Sequence, residues 1–349
     1  MIKKAKHPTL REVANKAGVG TTTVSRVING GERVDPKTLA KVRHVIDDLG
    51  YMPNHAARIL KGGRTRIIGL VIPSIADPFF SSCAEAAQAV VRAHDSVLIV
   101  ITTHNELHAE VEGVNVLTRH RADGFIIAPS DSRSLALRKL LQRISIPVVA
   151  LDRPIEGSNI PSVVANNFDG AHLATRHLIE HGYKRIACLT GETGLYTIQE
   201  RMRGYRHAVK AAGLDCIVDT SIHDYTSAEN AVRHLFATAS SPPDAFFTLK
   251  NSATIQVFQA LQTLNISFPE NVALLGYDDF ELADRVRPSI SVIQQPIEDI
   301  GRAAADLLFK RLRDSPGADE FKKKTRRQEI RLETRLIRRA SCGCSPSMD

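Results

Sequence analysis

The chain has 349 residues, more than one typical domain, and its 43% hydrophobic and 24% charged content is that of a globular protein. No run of 18 apolar residues occurs, which excludes a membrane-spanning helix. No apolar stretch follows the basic N-terminus, which argues against export and favours the cytoplasm. The net charge of +8 is uneven, since residues 1–66 hold 14 Lys and Arg against 5 Asp and Glu, whereas residues 67–309 hold 20 against 27. A basic head on an acidic body is typical of a nucleic-acid reader joined to a sensor.

Capping signals predict helices on either side of a glycine turn at the start of the chain. Thr9 and Glu12 match a capping box that opens a helix ending at Ala17. Gly18 then permits a turn of positive φ, and a second helix follows. A third helix starts at the N-cap Asp35, because the proline behind it suits the first helical position. This order predicts a helix-turn-helix unit, whose second helix enters the major groove of DNA.

The second helix has one apolar face and one face of mostly short polar side chains. At helical spacing Val24, Val27 and Ile28 form a buried stripe. The opposite face carries hydrogen-bonding groups and one long cation, namely Thr21, Thr22, Ser25, Arg26 and Asn29. A solvated face more often carries Glu and Lys, so this one is predicted to contact a polar partner.

The stretch REVANKAGVGTTTVSRVING, followed by RVDPKTLAKVRHVIDDLGYMPNHAARILKGG, resembles the DNA-binding head of the lactose repressor/galactose repressor (LacI/GalR) family. The resemblance implies that Thr21, Thr22 and Arg26 read base edges, since arginine can donate two hydrogen bonds to guanine. It also implies contacts to DNA phosphates from a set of mostly polar residues: Thr9, Ser25, Asn29, Arg33, Thr38 and Tyr51. Gly20 stands where the family usually has a serine N-cap, which puts a phosphate contact at that position in question.

The segment NHAARIL, residues 54–60, has an N-cap and helix formers but spans only about two turns, too short to be stable alone in water. From periodicity alone, a plain linker is the alternative. In the resembled family this segment is a hinge helix that forms on operator DNA, paired with its twin in the minor groove. The resemblance therefore implies DNA contacts from Asn54, Ala57 and Leu60, with Leu60 as the apolar wedge at a base step.

From Arg66 onward, short apolar runs alternate with amphipathic segments, which predicts repeated βαβ units. The runs RIIGLVIPS, SVLIVITTH, DGFIIAPS, IPVVALDR, RIACLTGE, DAFFTLK and VALLGYDDF predict buried parallel strands. The fold class is α/β, with doubly wound parallel sheets in a body long enough for two lobes. Ligands of such sheets bind beyond the carboxyl ends of the strands, so residues just after each strand are the candidates.

The resemblance extends over the body and implies a fold like the type I periplasmic binding proteins. The implied organisation is a helix-turn-helix domain over residues 1–53, a hinge over 54–65, and an effector-binding and dimerisation domain over 66–349. The chain is expected to cross between lobes near 165, 295 and 325. The N-terminal lobe would take about 66–165 and 295–325, and the C-terminal lobe about 166–294 and 326–340.

Family motifs, matched residue by residue, imply an effector cleft in the body. The implied lining residues are Phe79, Phe80, Asp152, Arg153, Tyr196, Thr197, Arg201, Tyr225, Lys250, Asn251, Asp278 and Gln295. Arg201 lies in the family's R-x-x-G-[FY] pattern and Asp278 in GYDD, where it would accept hydrogen bonds from ligand hydroxyls. For Phe79 and Phe80 the alternative is plain core packing. Arginine and aspartate aimed at vicinal hydroxyls between aromatic walls favour a carbohydrate-type effector.

A departure from the family pattern bears on the charge of the effector. Ser252 replaces the usual aspartate after Asn251, and Lys250 precedes it. The cleft is therefore predicted to lose a negative charge and to gain a positive one. With Arg153 and Arg201 nearby, this favours an anionic sugar derivative such as an aldonic or keto-sugar acid.

The cysteines are odd in number and irregularly spaced, which is typical of reduced thiols: Cys83, Cys188, Cys216, Cys342 and Cys344. Cys342 and Cys344 could bind a metal or be redox-active. No second Cys or His pair accompanies them in the sequence, which favours tail thiols without a partner. Histidines on helix faces, such as His177 and His181, are read as structural or solvated. No metal site and no cofactor are therefore predicted.

Two other classes of protein were weighed against a regulator. An enzyme is disfavoured because no G-x-G-x-x-G follows the first strand, and no P-loop, H-E-x-x-H or G-x-S-x-G occurs. An exported solute-binding protein would share the body but would need a signal peptide and would lack the basic head.

The tail predicts a strand through Ile330, Leu332 and Leu336, and it lacks leucine heptads, so a homodimer is expected rather than a coiled-coil tetramer. A two-fold protein matches a palindromic operator. The prediction is a DNA-binding transcriptional regulator, specifically a repressor, controlled by a small effector.

Overall fold

The computed structural model describes residues 8–28, 30, 34–51, 64–237, 241–314 and 328–344. The chain divides between Thr65 and Arg66 into two separately packed units, here called the head and the body. Some residues with predicted DNA contacts lie outside the described residues: Asn29, Arg33, Asn54, Ala57 and Leu60. Within the part that is described, no helix is long and apolar enough to cross a membrane.

The head contains the predicted helices, α1 (Leu10–Ala17), α2 (Thr21–Ile28) and α3 (Pro36–Leu49). The capping box is present, because the Thr9 hydroxyl accepts from the Glu12 amide while the Glu12 carboxylate accepts from the Thr9 amide. Gly18 ends α1 in the left-handed region at φ 63, where glycine is favoured. Small and β-branched side chains fill the space between the helices: Val13, Ala14, Ala17, Val24, Val27, Val42, Val45 and Tyr51.

The elements of the body alternate as the apolar runs predict. In chain order they are β1 (Ile67–Ile72), α4 (Pro78–Ala93), β2 (Val97–Thr102), α5 (Leu107–Arg119), β3 (Gly124–Ile127), α6 (Leu135–Arg143), β4 (Val148–Leu151), β5 (Ser162–Ala165), α7 (Asn167–Glu180), β6 (Ile186–Leu189), α8 (Tyr196–Ala211), β7 (Ile217–Asp219), α9 (Tyr225–Ala237), β8 (Ala245–Thr248), α10 (Asn251–Thr263), β9 (Ala273–Tyr277), β10 (Ser291–Gln294), α11 (Ile297–Asp314), β11 (Glu329–Leu332) and β12 (Arg335–Ile337). A short 3₁₀ turn, Ala340–Cys342, follows.

These strands form two sheets, which define the two lobes of the body. The described strands of the first sheet lie in the order β11-β5-β4-β3-β1-β2, and those of the second in the order β12-β10-β9-β8-β6-β7. All neighbours are parallel except β10 and β12. Helices pack on both faces of the first sheet. Ile68 and Leu70 of β1 pack against α4 and α11 on one face, and Val71 packs against α5 and α6 on the other. Each lobe is therefore doubly wound.

The third crossing between the lobes lies later than predicted. The chain leaves the first sheet after Ala165 and returns to it after Gln294, close to the expected positions. The expected crossing near 325 is wrong, because β11 still pairs with β5 in the first sheet, and the chain reaches the second sheet only at β12. The apolar alternation breaks at Glu333 and Thr334, so its two halves join different sheets.

One predicted buried strand is in fact half exposed. β2 lies at the edge of the first sheet, and Val97, Ile99 and Val100 are 62%, 37% and 38% exposed. An apolar run cannot show which strand of a sheet will lie at its edge, so burial was overestimated here. The consequence is an exposed apolar edge, a feature that usually needs a partner or protection.

Candidate functional site

The polar face of α2 is presented to solvent. Thr21, Thr22 and Arg26 are exposed, whereas Val24 and Val27 are buried under them. The helix therefore has the predicted orientation of its two faces, with short hydroxyl groups and one guanidinium available for an external partner.

The other described residues with predicted DNA contacts have structural roles as well. The Thr9 hydroxyl belongs to the capping box, and the Thr38 hydroxyl donates to the Asp35 carboxylate at 3.4 Å. Ser25 is half-buried on α2. Tyr51 is 8% exposed and packs in the core of the head, so a phosphate contact would fall to its hydroxyl group.

A cavity of about 550 Å³ lies in the body, at the carboxyl ends of strands from both sheets. Most of the predicted effector residues line it: Phe79, Phe80, Asp152, Arg153, Thr197, Arg201, Lys250, Asn251, Asp278 and Gln295. Because the first and second lobes contribute opposite walls, a ligand in this cavity would contact both lobes at once.

Arg201 and Asp278 form the polar centre of the second-lobe wall. The Arg201 guanidinium is 3% exposed, donates to Asp278 at 3.3 Å, and lies 3.7 Å from the centre of the Tyr277 ring. Its other bonds run to Asn167 at 2.8 Å and to the backbone of residue 249 at 2.7 Å. The second oxygen of Asp278 accepts from Gln295 at 2.5 Å. The carboxylate is thus held in one orientation at the cavity wall.

Arg153 and Asp152 form the corresponding pair on the first lobe. Arg153 donates from Nε to Asp152 at 3.1 Å and from Nη1 to Asn105 at 2.8 Å, and both members of the pair are about 4% exposed. Arg153 lines the cavity, and its Nη2 has no acceptor among the described residues. Burial raises the pKa of Asp152, although Arg153 and Arg201 oppose that shift.

Two carboxylates that were not predicted as site residues also line the cavity. Asp77 is the N-cap of α4, where its side chain accepts from the Phe79 amide at 3.1 Å, and burial raises its pKa. Glu192 follows β6 and pairs with Lys250 at 3.0 Å.

The predicted change of charge is present, since Ser252 and Lys250 both line the cavity, but each Lys and Arg side chain at the wall has a carboxylate partner. The three cations paired in this way are Arg153, Arg201 and Lys250. Asp77 adds a fourth carboxylate, so the carboxylates outnumber the Lys and Arg side chains at the wall. Lys250 stands where the sequence suggested, but Glu192 neutralises it.

Two predicted site residues do not line the cavity. Tyr225 is the first residue of α9, and its hydroxyl donates to the Thr263 hydroxyl at 2.7 Å. It does not stand at a strand end, because β7 already ends at Asp219, and it lies on a different part of the second lobe. Tyr196 is half-buried at the start of α8, and its electrostatic neighbours are Glu200, Arg331 and Glu329. Both assignments are therefore corrected.

Several lining residues were missed although a sequence signal existed. His104 and Asn105 directly follow β2, Glu192 follows β6, and Phe280 follows the GYDD motif, so all satisfy the rule that sites lie beyond strand ends. Asn167, which orients Arg201, was missed because the strand that it follows, Ser162–Ala165, was not predicted.

Two family models match the chain over nearly its whole length. The model described as "Bacterial regulatory proteins, lacI family" matches residues 9–54, and "Periplasmic binding proteins and sugar binding domain of LacI family" matches residues 65–339. The chain belongs to the LacI family. This LacI-family protein is a DNA-binding transcriptional regulator and not an enzyme.

Individual relatives agree with this assignment. The HTH-type transcriptional repressor PurR of Vibrio vulnificus is 31% identical over 308 residues, covering 88% of this chain and 92% of the relative. The ribose operon repressor of Escherichia coli is 33% identical over 311 residues, covering 87% and 93%. Among solved structures, a complex of the regulator CelR with cellobiose is 31% identical, with a TM-score of 0.69 and coverage of 96% and 100%. The lac repressor dimer on its operator, 23% identical with a TM-score of 0.83 and coverage of 97% and 99%, shows the same fold.

Proposed function

We propose that this LacI-family protein is a repressor that binds a palindromic operator as a homodimer and responds to a neutral carbohydrate in the cleft. The observation that carries the effector part is the fixed Asp278 carboxylate, held by Arg201 and Gln295 at the cavity wall. A carboxylate in one orientation accepts hydrogen bonds from ligand hydroxyls, and the guanidinium groups beside it donate hydrogen bonds to adjacent hydroxyls.

The pairing of charges favours a neutral ligand over an acid. An anionic sugar would have to compete with Asp152, Asp278 and Glu192 for the three cations, and it would face Asp77 as well. A neutral polyol can bridge the existing pairs without displacing them. Phe79 and Phe80 supply apolar contact for the ring, and they also pack edge to face with centroids 5.0 Å apart. The sugar acid remains the alternative to be tested.

The relatives' names fit this class of ligand. The CelR structure is a cellobiose complex, and a LacI-family regulator from Enterococcus faecium, 25% identical with a TM-score of 0.67, was solved with bound ribose. The cavity volume of about 550 Å³ lies within the usual range for small-molecule sites.

The dimer is supported by the exposed edge of the first lobe. Val97, Ile99 and Val100 form an apolar edge strand of the kind that proteins usually cover. A dimer would present two copies of α2, with Thr21, Thr22 and Arg26 of each reading one half-site. The segment 54–65 would contact DNA between the half-sites and transmit closure of the cleft.

The experiment is a thermal-unfolding screen followed by operator selection. Neutral sugars, sugar acids, sugar phosphates and purine bases are tested with wild-type protein and with Asp278→Asn, using the exposed-site variant Asp284→Asn as control. A ligand at 100 times its Kd adds about 2.7 kcal/mol to native stability. Stabilisation by a neutral sugar that Asp278→Asn loses and Asp284→Asn keeps supports the proposal, and the same compound should then alter binding to DNA sites selected from a random pool. Stabilisation by sugar acids alone overturns the proposal of a neutral ligand. Selected DNA sites without two-fold symmetry overturn the proposal of a palindromic operator.

A further inference from the structure

The C-terminal segment of the body brings two cysteines against two histidines of α7. His177 lies in the last turn of that helix and His181 is its C-cap, so the two rings share one face, with centroids 4.2 Å apart. Cys342 and Cys344 lie on the turn that follows β12. No metal site was predicted, because no second Cys or His pair accompanies the cysteines in the sequence. The two histidines lie about 165 positions earlier, and only the fold brings them to the cysteines.

The donor atoms of His177, His181 and Cys344 all lie within 4.8 Å of one another, and Sγ of Cys342 lies beside this group, next to His177. Nε2 of His177 is 3.3 Å from Sγ of Cys342 and 3.5 Å from Sγ of Cys344, and Nε2 of His181 is 3.2 Å from Sγ of Cys344. Tetrahedral zinc with Zn–S near 2.3 Å and Zn–N near 2.0–2.1 Å separates its sulfur and nitrogen ligands by about 3.6 Å. Small side-chain rotations would therefore open the cluster to that geometry.

The histidines are oriented as ligands. Nδ1 of His181 hydrogen-bonds to the backbone carbonyl of His177 at 2.9 Å, which leaves the Nε2 lone pair directed at the cysteines. Such a bond on the far side of the ring is the usual support for a metal-binding histidine. The carboxyl end of α7 also favours a cation.

The cysteines are held by their own surroundings. Gly343 takes φ 85, and an added Cβ would come within 2.9 Å of the Tyr183 hydroxyl, so glycine is needed for the turn that faces both sulfurs toward α7. The Ser291 hydroxyl donates to Sγ of Cys342 at 3.0 Å, which helps to fix the position of this sulfur. Cys342 and His177 are buried, whereas His181 is exposed and Cys344 half-buried, which leaves a path for an ion to enter.

We propose that His177, His181, Cys342 and Cys344 bind one Zn²⁺ ion. A tetrahedral set of two imidazoles and two thiolates suits zinc, and the set is closed, as in structural sites. The ion would link the segment after β12 to the C-terminal end of α7. In that segment Arg339 forms a bidentate pair with Asp279 at 2.8 Å, next to Asp278 of the cleft. Zinc is thus expected to stabilise the second lobe and the position of this wall of the effector site.

The test uses full-length protein without an affinity tag, stripped of metal by a chelator under reducing conditions. Zn²⁺ content is measured after equilibration with one equivalent and dialysis, and Co²⁺ is titrated as a spectroscopic probe. The variants are Cys344→Ser and the surface change His181→Gln. Their matched controls are Cys216→Ser, at an exposed cysteine, and His172→Gln, on the same helix.

Wild-type protein and both controls are expected to retain one Zn²⁺ per chain. Their Co²⁺ complexes should show thiolate-to-cobalt charge transfer and the strong visible bands of tetrahedral cobalt, and zinc should raise the unfolding midpoint. Loss of a ligand should weaken binding by more than the roughly 10- to 100-fold that follows loss of an outer-shell partner. The proposal is overturned if wild-type protein retains no zinc, if His181→Gln binds as tightly as wild type, or if freshly isolated protein holds a Cys342–Cys344 disulfide and binds no zinc after reduction.

Discussion

Asp278 shows how one residue can set both stability and ligand binding. Its ion pair with Arg201 is buried, with side chains 9% and 4% exposed. Asp278→Asn leaves the arginine charge without its partner, and removal of one member of a buried pair costs roughly 3–5 kcal/mol. We expect the free energy of unfolding of the ligand-free protein to fall by about that amount in urea titrations.

The matched control for this prediction is Asp284→Asn. Asp284 pairs with Arg285 at 3.4 Å, but the two side chains are 52% and 79% exposed. Exposed pairs contribute about 0–1 kcal/mol, so this variant should unfold almost as the wild type does. If the two variants lost the same free energy of unfolding, the Asp278–Arg201 pair would contribute no more to stability than an exposed ion pair does.

Asp77 gives a prediction for the dependence of stability on pH. Burial raises its pKa above the ordinary 3.8, so the charged carboxylate opposes folding above the raised pKa, and this penalty disappears as the pH falls through it. Asp77→Asn removes the charge and keeps an N-cap residue of equal quality. The ligand-free variant should be more stable than wild type at pH 7, and the difference should close as the pH approaches 3.8.

Thermal unfolding of both proteins from pH 7 to pH 4 measures this difference. Asp35→Asn, at the exposed N-cap of α3, makes the same change outside the cleft and should give no gain at pH 7. A variant at position 77 that is less stable than wild type at pH 7 would mean that Lys250 and the Phe79 amide outweigh burial.

At the scale of elements, the capping box of α1 is a short motif with a measurable effect. The Thr9 hydroxyl and the Glu12 carboxylate satisfy two amides at the start of an eight-residue helix. Thr9→Ala should cost about 1 kcal/mol, whereas Thr9→Ser keeps the cap and should cost little. Hydrogen exchange on the intact chain should show α1 amides about fivefold less protected in the alanine variant. Equal exchange in both variants would show that packing against α3, not the cap, limits the opening of α1.

The strands show which elements the sequence could and could not reveal. Long apolar runs such as Ile67–Ile72 predicted their strands because a buried parallel strand is apolar on both faces. Ser162–Ala165, Ile217–Asp219 and Ser291–Gln294 were missed, since polar residues at their ends shorten the apolar runs to two or three residues. The tail pattern was seen, but not its division between two sheets, because pairing partners are set by the fold.

The effector cleft, like the sheets, could be predicted only in part, because contacts between distant residues are set by the fold. Residues that follow predicted strands, such as Asp152 and Asp278, were placed in the cleft by the family resemblance together with the rule that ligands bind beyond strand ends. The pairing of Lys250 with Glu192 could not be predicted, because the two residues lie on different strand ends 58 positions apart. The charge of the cleft, and with it the class of effector, depended on that pairing.

At the scale of the whole molecule, the apolar edge of β2 predicts the state of assembly. Ile99→Lys places a charge on the exposed edge and should convert a dimer to monomers in sedimentation velocity. Leu282→Lys, at a residue 60% exposed on the second lobe, is the matched control and should leave the dimer intact. An unchanged dimer in Ile99→Lys would place the interface elsewhere, and monomeric wild-type protein would remove the basis for a palindromic operator.

The separation of head and body predicts that DNA and effector binding can be lost independently. Arg26 is exposed on the polar face of α2, and one bidentate contact to guanine contributes about 1–3 kcal/mol. Arg26→Ala should therefore weaken binding to the selected operator by about 5- to 150-fold and relax the base preference at one position in each half-site. Its thermal stabilisation by the effector should equal that of wild type, because Arg26 belongs to the head and the cavity lies in the body.

Arg233→Ala, which removes an exposed arginine from the body, controls for the loss of positive charge and should change neither property. Asp278→Asn should show the reverse pattern, with operator binding retained and no response to the effector. If Arg26→Ala instead lowered the effector-dependent stabilisation together with DNA affinity, the two units would have to be one cooperative structure even without DNA.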